Sequence, residues 1–247
     1  MCPIFLKIGN FVIYWYGVMV AIGVFLSSFL FQKYALKEGY TSKTISEIIF
    51  WTVLIGIFGG RIFHVIVHFH YYSKHLSEII RIRNGGLAIQ GAILFSLYFI
   101  YVYSKTNRIN FLKTVDLIAI VTPLGQAIGR IGCFLNGCCY GKATESFFGV
   151  KFPFLTEKVY PTELFYFFMD IILFYFLLTF NKKKKRDGEV LSLYLMGFGL
   201  IRYFIDFLRG DLFFTSLGLF STQLIGIFIF MIGGILFSFF LLTDKNT

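Results

Sequence analysis

The sequence predicts an all-α, polytopic helical membrane protein with about seven transmembrane helices. Three observations carry that prediction. Apolar residues make up 57% of the 247, about what seven spans of about 20 residues each require. They fall in long continuous runs, not in the alternating pattern of a transmembrane barrel. Mean hydropathy is +0.76 with only 15% charged residues, which excludes a water-soluble domain and a disordered chain alike. With 24 Gly, 4 Pro and 4 Cys, collagen-like and disulfide-framework readings also fail.

Taken in order, the runs lie at about 11–32, 46–68, 88–104, 112–129, 163–180, 190–208 and 220–242. The first is too long for a signal-peptide core and has no A-x-A cleavage pattern, so it reads as a retained span. The second ends among His64, His68 and His70. The third opens after Gly85-Gly86, a pair suited to a sharp entry turn. The third and fourth are short enough to tilt, re-enter or run partly buried in protein. Between the fourth and fifth lies the one long non-apolar stretch, 130–162, expected as an outer-side segment of a single integral membrane domain spanning 1–247. No internal repeat is visible.

The net charge is +10, from 23 Lys+Arg against 13 Asp+Glu. The basic residues sit mostly between apolar runs, so the positive-inside rule and anionic headgroups account for them, and nucleic acid does not. The run Lys182-Lys183-Lys184-Lys185-Arg186 marks a cytoplasmic loop and reads as a topology anchor. Lys33, Lys37, Lys43, Lys105, Arg108 and Lys245 fall on the same side. Lys7, Lys74, Arg81, Arg83, Lys142, Lys151 and Lys158 fall on the other. The N-terminus is therefore expected outside and the C-terminus in the cytoplasm.

Polar residues within spans are costly and mark candidate sites: Arg61, Asp116, Arg130, Glu163, Asp170, Arg202, Asp206 and Arg209. Arg202, Asp206 and Arg209 have i, i+4, i+7 spacing on one expected helix face, either an anion site or a self-neutralising cluster. Gly129 to Lys142 places Arg130 and Asn136 among glycines at the outer end of a span. Glycine allows close backbone approach, and a guanidinium fork matches phosphate oxygens. A headgroup-binding loop and a tight turn with a snorkelling Arg both fit. Cys133, Cys138 and Cys139 form C-x4-C-C. Zinc would need a fourth ligand, and no matching Cys/His pair flanks them; small buried thiols are the plainest reading, ahead of a Cys133–Cys138 or Cys133–Cys139 disulfide and of a metal site. His64 and His68 share a helix face without an H-E-x-x-H pattern, and His64 is a candidate proton acceptor. Gln90 can hydrogen-bond but cannot act as a base near neutral pH.

Several blocks occur in a telling order: Trp15-Tyr16-Gly17, Gly59-Gly60-Arg61, Gly85-Gly86 with Gly91, Asp116, the G-R-x-G-x-F-x-N-G block at 129–137 with Gly141, Pro161-Thr162-Glu163-Leu164, and Gly197 to Arg202. Together they resemble the bacterial prolipoprotein diacylglyceryl transferases from about residue 3 to 242. The resemblance implies an inner-membrane transferase that moves the diacylglyceryl group of phosphatidylglycerol to the lipobox cysteine thiol of a preprolipoprotein, with release of glycerol phosphate and without metal or soluble cofactor. It implies Arg130, Arg202, Tyr16 and Gln90 as catalytic residues, and Arg130, Asn136, Gly141 and Arg209 as substrate-binding ones. At five positions the chain departs from the family pattern: Gln90 replaces His, Cys133 replaces Asn, Cys138 replaces Glu, Phe198 replaces Tyr and Tyr160 replaces His. The alternatives are a phospholipid-binding relative without transfer activity, and a small anion transporter using Arg130 and Arg202. The expected repeat or paired broken helices of such a transporter are not seen.

Overall fold

The computed structural model describes residues 3–9, 11–81, 85–210 and 220–242. Arg83 and Lys245, both used in the charge count, lie outside the described residues. The chain divides into two compact units: residues up to Phe31 together with those from Asp116 onward, and Gln32–Val115.

In chain order the elements are β1 (Ile4–Ile8), β2 (Phe11–Tyr14), α1 (Trp15–Lys37), α2 (Ser42–Val67), α3 (Phe69–Tyr72), a short 3-10 turn (Leu76–Glu78), α4 (Ile89–Thr106), α5 (Phe111–Asn136), α6 (Thr162–Asn181), α7 (Glu189–Asp206) and α8 (Ser221–Leu242). Each of the seven apolar runs contains a helix. Five of them, α1, α2, α5, α6 and α8, are long and apolar enough to cross a bilayer. The other two have 18 residues each. Glu189, Arg202 and Asp206 lower the hydropathy of α7, and three tyrosines with Lys105 lower that of α4.

Two boundaries differ from the hydropathy reading. The first run begins in strand: β1 and β2 form an antiparallel hairpin pairing Ile8 with Phe11 and Ile4 with Tyr14. Phe-Val-Ile-Tyr is β-branched and aromatic, so it suits a strand as well as a span. The second difference matters more. α5 continues to Asn136, so the first part of the 130–162 segment is helical. Arg130 ends the hydropathy run, but Ile131, Cys133, Phe134 and Leu135 give the backbone no reason to leave the helix.

In the unit Gln32–Val115, small residues let α2 and α4 touch backbone to backbone. A Cβ on Gly91 would collide with the Gly59 carbonyl and the Phe63 side chain. Ser96 donates to the Thr52 carbonyl at 3.1 Å, and the Ala88 amide to the Gly60 carbonyl at 3.0 Å. Arg61 is buried, and its donors meet the carbonyls of Ile79 (2.9 Å), Glu78 (2.6 Å), Gly85 (2.7 Å) and Gly86 (3.0 Å). Its guanidinium holds the loop entering α4, so Arg61 is a structural residue. Gly85 and Gly86 both have positive φ there, as a sharp entry turn demands. The His64 and His68 rings lie against each other, tilted by 32°, with centroids 4.3 Å apart.

In the other unit, α1 crosses α5 where Ser27 donates to the Val121 carbonyl at 3.1 Å. α7 and α8 meet backbone to backbone at Gly199 and Gly226. Asp116, fully buried on α5, accepts from the amides of Gly188 (2.9 Å) and Leu191 (2.8 Å) and from Lys184 Nζ (3.1 Å). It thereby caps the N-terminus of α7 from another helix, using the dipole as well as the orphan N–H groups. Lys184 is correspondingly more than a solvated anchor. Burial disfavours its ammonium, but the Asp116 and Asp187 carboxylates outweigh that and hold its pKa above the usual lysine value.

Candidate active site

The signature block is built around the end of α5. Gly137, at φ +71°, closes the helix: its amide donates to the Phe134 carbonyl and that of Cys138 to the Cys133 carbonyl, both at 3.2 Å. This is the usual use of a left-handed glycine just beyond a helix. The chain is then tied to α6 by Thr162 Oγ1, which donates to the Cys139 carbonyl at 2.6 Å. Gly141 comes against two further segments. Its amide donates to the Tyr160 carbonyl at 2.7 Å, and it forms a β-bridge with Arg209. A Cβ at Gly141 would lie 2.6 Å from the Leu208 carbonyl oxygen and 2.7 Å from Tyr160 Cβ. No larger residue fits unless one of these segments shifts.

One face of α6 supplies Glu163, Tyr166 and Asp170, all buried. The Arg130 guanidinium lies 4.0 Å from the centroid of the Tyr166 ring, a cation–π contact in a protein interior. Tyr166 donates to Asp206 Oδ1 at 2.6 Å. Asp206 in turn faces Arg202 Nε at 3.7 Å and Arg209 Nη1 at 4.0 Å. Arg130, Arg202 and Arg209 are thus connected through one tyrosine and one carboxylate. Glu163 and Asp170 lie in the field of Arg130. No hydrogen bond joins the Arg130 guanidinium to another described residue, so its fork remains available to an anion.

The family model for prolipoprotein diacylglyceryl transferase matches residues 3–239. The chain belongs to the prolipoprotein diacylglyceryl transferase family. It is 37% identical over 225 residues to the phosphatidylglycerol–prolipoprotein diacylglyceryl transferase of Finegoldia magna, covering 91% of this chain and 90% of that one. It is 34% identical over 243 residues to the protein of the same name from Clostridium tetani, covering 96% and 97%. A third relative, transferase 2 of Clostridium perfringens, is 38% identical over 230 residues, covering 91% and 89%.

Within this family member, the residues expected at the site are not all brought together. Arg130, Arg202 and Arg209 converge as described. Arg209 is not on the α7 face that its spacing implied. α7 ends at Asp206, and the chain turns so that the Leu208 carbonyl accepts from the Lys142 amide at 2.8 Å. That turn, not the helix, brings Arg209 to Gly141. Tyr16 sits on α1 where it crosses α5: a Cβ on Gly132 would lie 3.3 Å from Tyr16 Cα. Tyr16 is in electrostatic range of Arg130 and the three cysteines. Asn136 is the exposed last residue of α5. Gln90 belongs to the other unit, exposed in the first turn of α4. The glycines 129 and 132 are helical, so positive φ is not their role.

Sequence reasoning missed Tyr166. Its signal was present: it lies three residues after Glu163 and four before Asp170, on the one polar face of an otherwise apolar helix. The three cysteines are free thiols, with their sulfur atoms within 4.8 Å of one another. The disulfide reading is therefore not realised in this structure.

Proposed function

We propose that this chain transfers the diacylglyceryl group of phosphatidylglycerol to the lipobox cysteine thiol of a preprolipoprotein and releases glycerol phosphate. The observation that carries this reading is the Arg130–Tyr166–Asp206–Arg202 connection at the signature block of the family. In the reaction the substrate sulfur attacks the glycerol carbon that bears the phosphate. A C–S bond forms, the C–O bond breaks, and the electron pair leaves on the phosphate. The thiolate is the competent nucleophile. Negative charge that builds on the leaving phosphate is where preorganised donors lower the barrier.

Arg130 grips the phosphate with its planar fork. Arg202 acts as a second cationic group, oriented by Asp206. Arg209, Asn136 and the backbone at Gly141 line the headgroup side, and Tyr16 completes the catalytic set next to Arg130. Gln90 enters on the family resemblance alone, as a hydrogen-bonding group at the position where a histidine is usual. The transfer requires no metal or soluble cofactor. The protein is a multi-pass protein of the bacterial cytoplasmic membrane, with the N-terminus outside and the C-terminus inside. A cysteine introduced at Lys183 should then label from the cytoplasmic side and one at Lys151 from outside, with the native cysteines replaced. Labelling of both from outside contradicts this orientation.

The decisive assay supplies phosphatidylglycerol vesicles and a lipobox peptide and measures glycerol phosphate release together with peptide lipidation. Coupled appearance of both is expected. Binding of the lipid without either product, and failure to rescue a strain depleted of its own transferase, favours the non-transferring relative instead.

A further inference from the structure

We propose that Cys133, Cys138 and Cys139 form a three-thiolate site for one soft divalent cation of the zinc class, with Glu163 as the fourth donor. The site is distinct from the proposed phosphate site but borders it, sharing the field of Arg130 and Arg209. Three observations converge on it.

The first is the thiol cluster itself. All three sulfurs lie within 4.8 Å of one another and none is in a disulfide. A zinc–sulfur bond of about 2.3 Å sets tetrahedral sulfurs about 3.8 Å apart, so the cluster needs to close by only about 1 Å. Its scaffold is ordered by backbone contacts. Cys133 lies in the last turn of α5, and the Cys138 amide returns to the Cys133 carbonyl at 3.2 Å. The Cys139 carbonyl is held by Thr162.

The second observation is Glu163. The residue is 0% exposed, and no other described residue gives either carboxylate oxygen a hydrogen bond. A buried carboxylate in that state is unfavourable unless a cation or proton meets it. The Thr162–Cys139 bond brings the first turn of α6 onto the cysteine turn; the Glu163 carboxylate stands outside the 4.8 Å sulfur cluster and has to move in to complete the coordination. C-x4-C-C offers three ligands from one segment, and the fourth arrives from a different helix. This is why the sequence spacing showed no complete zinc pattern.

The third is charge. On binding, three S–H protons leave to solvent and three metal–sulfur bonds form. Three thiolates, one carboxylate and one divalent cation leave an excess of two negative charges. Arg130 and Arg209, both in the field of Glu163, offset them. Thiolate donors select zinc-like cations over magnesium or calcium.

The test uses the full-length protein, purified in detergent and reduced, with Co(II) and Zn(II) as probes. Co(II) should give a sulfur-to-cobalt charge-transfer band of three-thiolate intensity and the visible bands of a four-coordinate ion. One equivalent of Zn(II) should bleach them. Glu163→Gln should keep the charge-transfer intensity but weaken Zn(II) binding by about tenfold or more, and Cys133→Ser should lower that intensity to about two thirds. Alkylation read by mass spectrometry needs no variant: Zn(II) should shield all three thiols of the unaltered chain. Absence of both the band and the shielding in the reduced protein overturns the proposal. So does a full-strength band in Cys133→Ser, or metal-free protein isolated with two of these thiols joined as a disulfide.

Discussion

Helix α5 carries a polar centre near each end, and the two are built on opposite principles. Asp116 and Arg130 are 14 positions apart, about 21 Å along an α-helix. Around Asp116 every acceptor is used: one oxygen takes the Gly188 amide and Lys184, the other the Leu191 amide. Around Arg130 the reverse holds. Asp206 Oδ2, both oxygens of Glu163, Asp170 Oδ1, Gln126 Oε1 and Arg202 Nε have no hydrogen-bond partner among the described residues. Buried polar groups are normally satisfied. A saturated centre holds helices together, whereas an unsaturated one is arranged for groups that come from elsewhere. Both carry buried charge in an apolar chain, so sequence alone ranks them equally.

The largest effect is expected at the saturated centre. Asp116→Ala removes the carboxylate and leaves Lys184 largely buried, along with two amides at the start of α7. Breaking a buried pair from one side typically costs about 3–5 kcal/mol. Thermal unfolding in detergent should show a much less stable protein, with activity lost only in proportion to folded protein. A variant as stable as the parent would show that Asp116 does not hold α7.

The next effect belongs to the unsaturated centre and should appear in rate, not stability. Losing one donor to a developing oxyanion typically costs about 10²–10³ in rate. Arg130→Ala should reach that range, while Arg130→Lys should remain badly impaired because it keeps charge but not the fork. If Arg130 merely snorkels, lysine should substitute nearly freely. Near-normal transfer by Arg130→Lys at matched membrane levels would remove Arg130 from the phosphate site.

How much of this was legible follows from what each feature depends on. The seven helices are written in uninterrupted apolar runs, because a lipid-facing backbone must satisfy itself locally. That Arg130, Arg202 and Asp206 are candidates is also visible, since charge inside a span stands out. What pairs with each charge is not visible. Asp116 finds its amides more than 70 positions away, and Arg209 is placed by a turn beyond α7, not by helical spacing. Tyr166 was hidden for a different reason: in a chain where 21% of residues are aromatic, one more tyrosine carries no signal until its hydroxyl is seen on Asp206.

Tyr166→Phe sharpens the contrast within the unsaturated centre. It keeps the ring beneath Arg130 and removes only the hydroxyl that fixes Asp206. The protein should fold, and kcat should fall by about tenfold, the kinetic equivalent of about 1.4 kcal/mol. KM for phosphatidylglycerol should change less, because the headgroup contacts stay in place. A KM effect with kcat intact would make Tyr166 part of lipid binding and not a positioning residue for the arginines.

The smallest effect is expected at Gln90, which belongs to neither centre. An amide side chain can orient a thiol but cannot accept its proton near neutral pH. A histidine at the same position can, and its efficiency as a base is greatest when its pKa lies near the working pH. Gln90 is exposed in the first turn of α4, so an imidazole fits there without displacing packed side chains. Gln90→His should therefore transfer at least as fast as the parent. Its rate should also acquire a dependence on pH around the usual histidine value of about 6.5, falling as the ring becomes protonated. A base located elsewhere predicts an unchanged pH profile, which would assign proton removal to a group outside this position. Abolished turnover in a folded Gln90→His protein would be more damaging. It would mean that the amide itself is required and that the family pattern does not carry over at position 90.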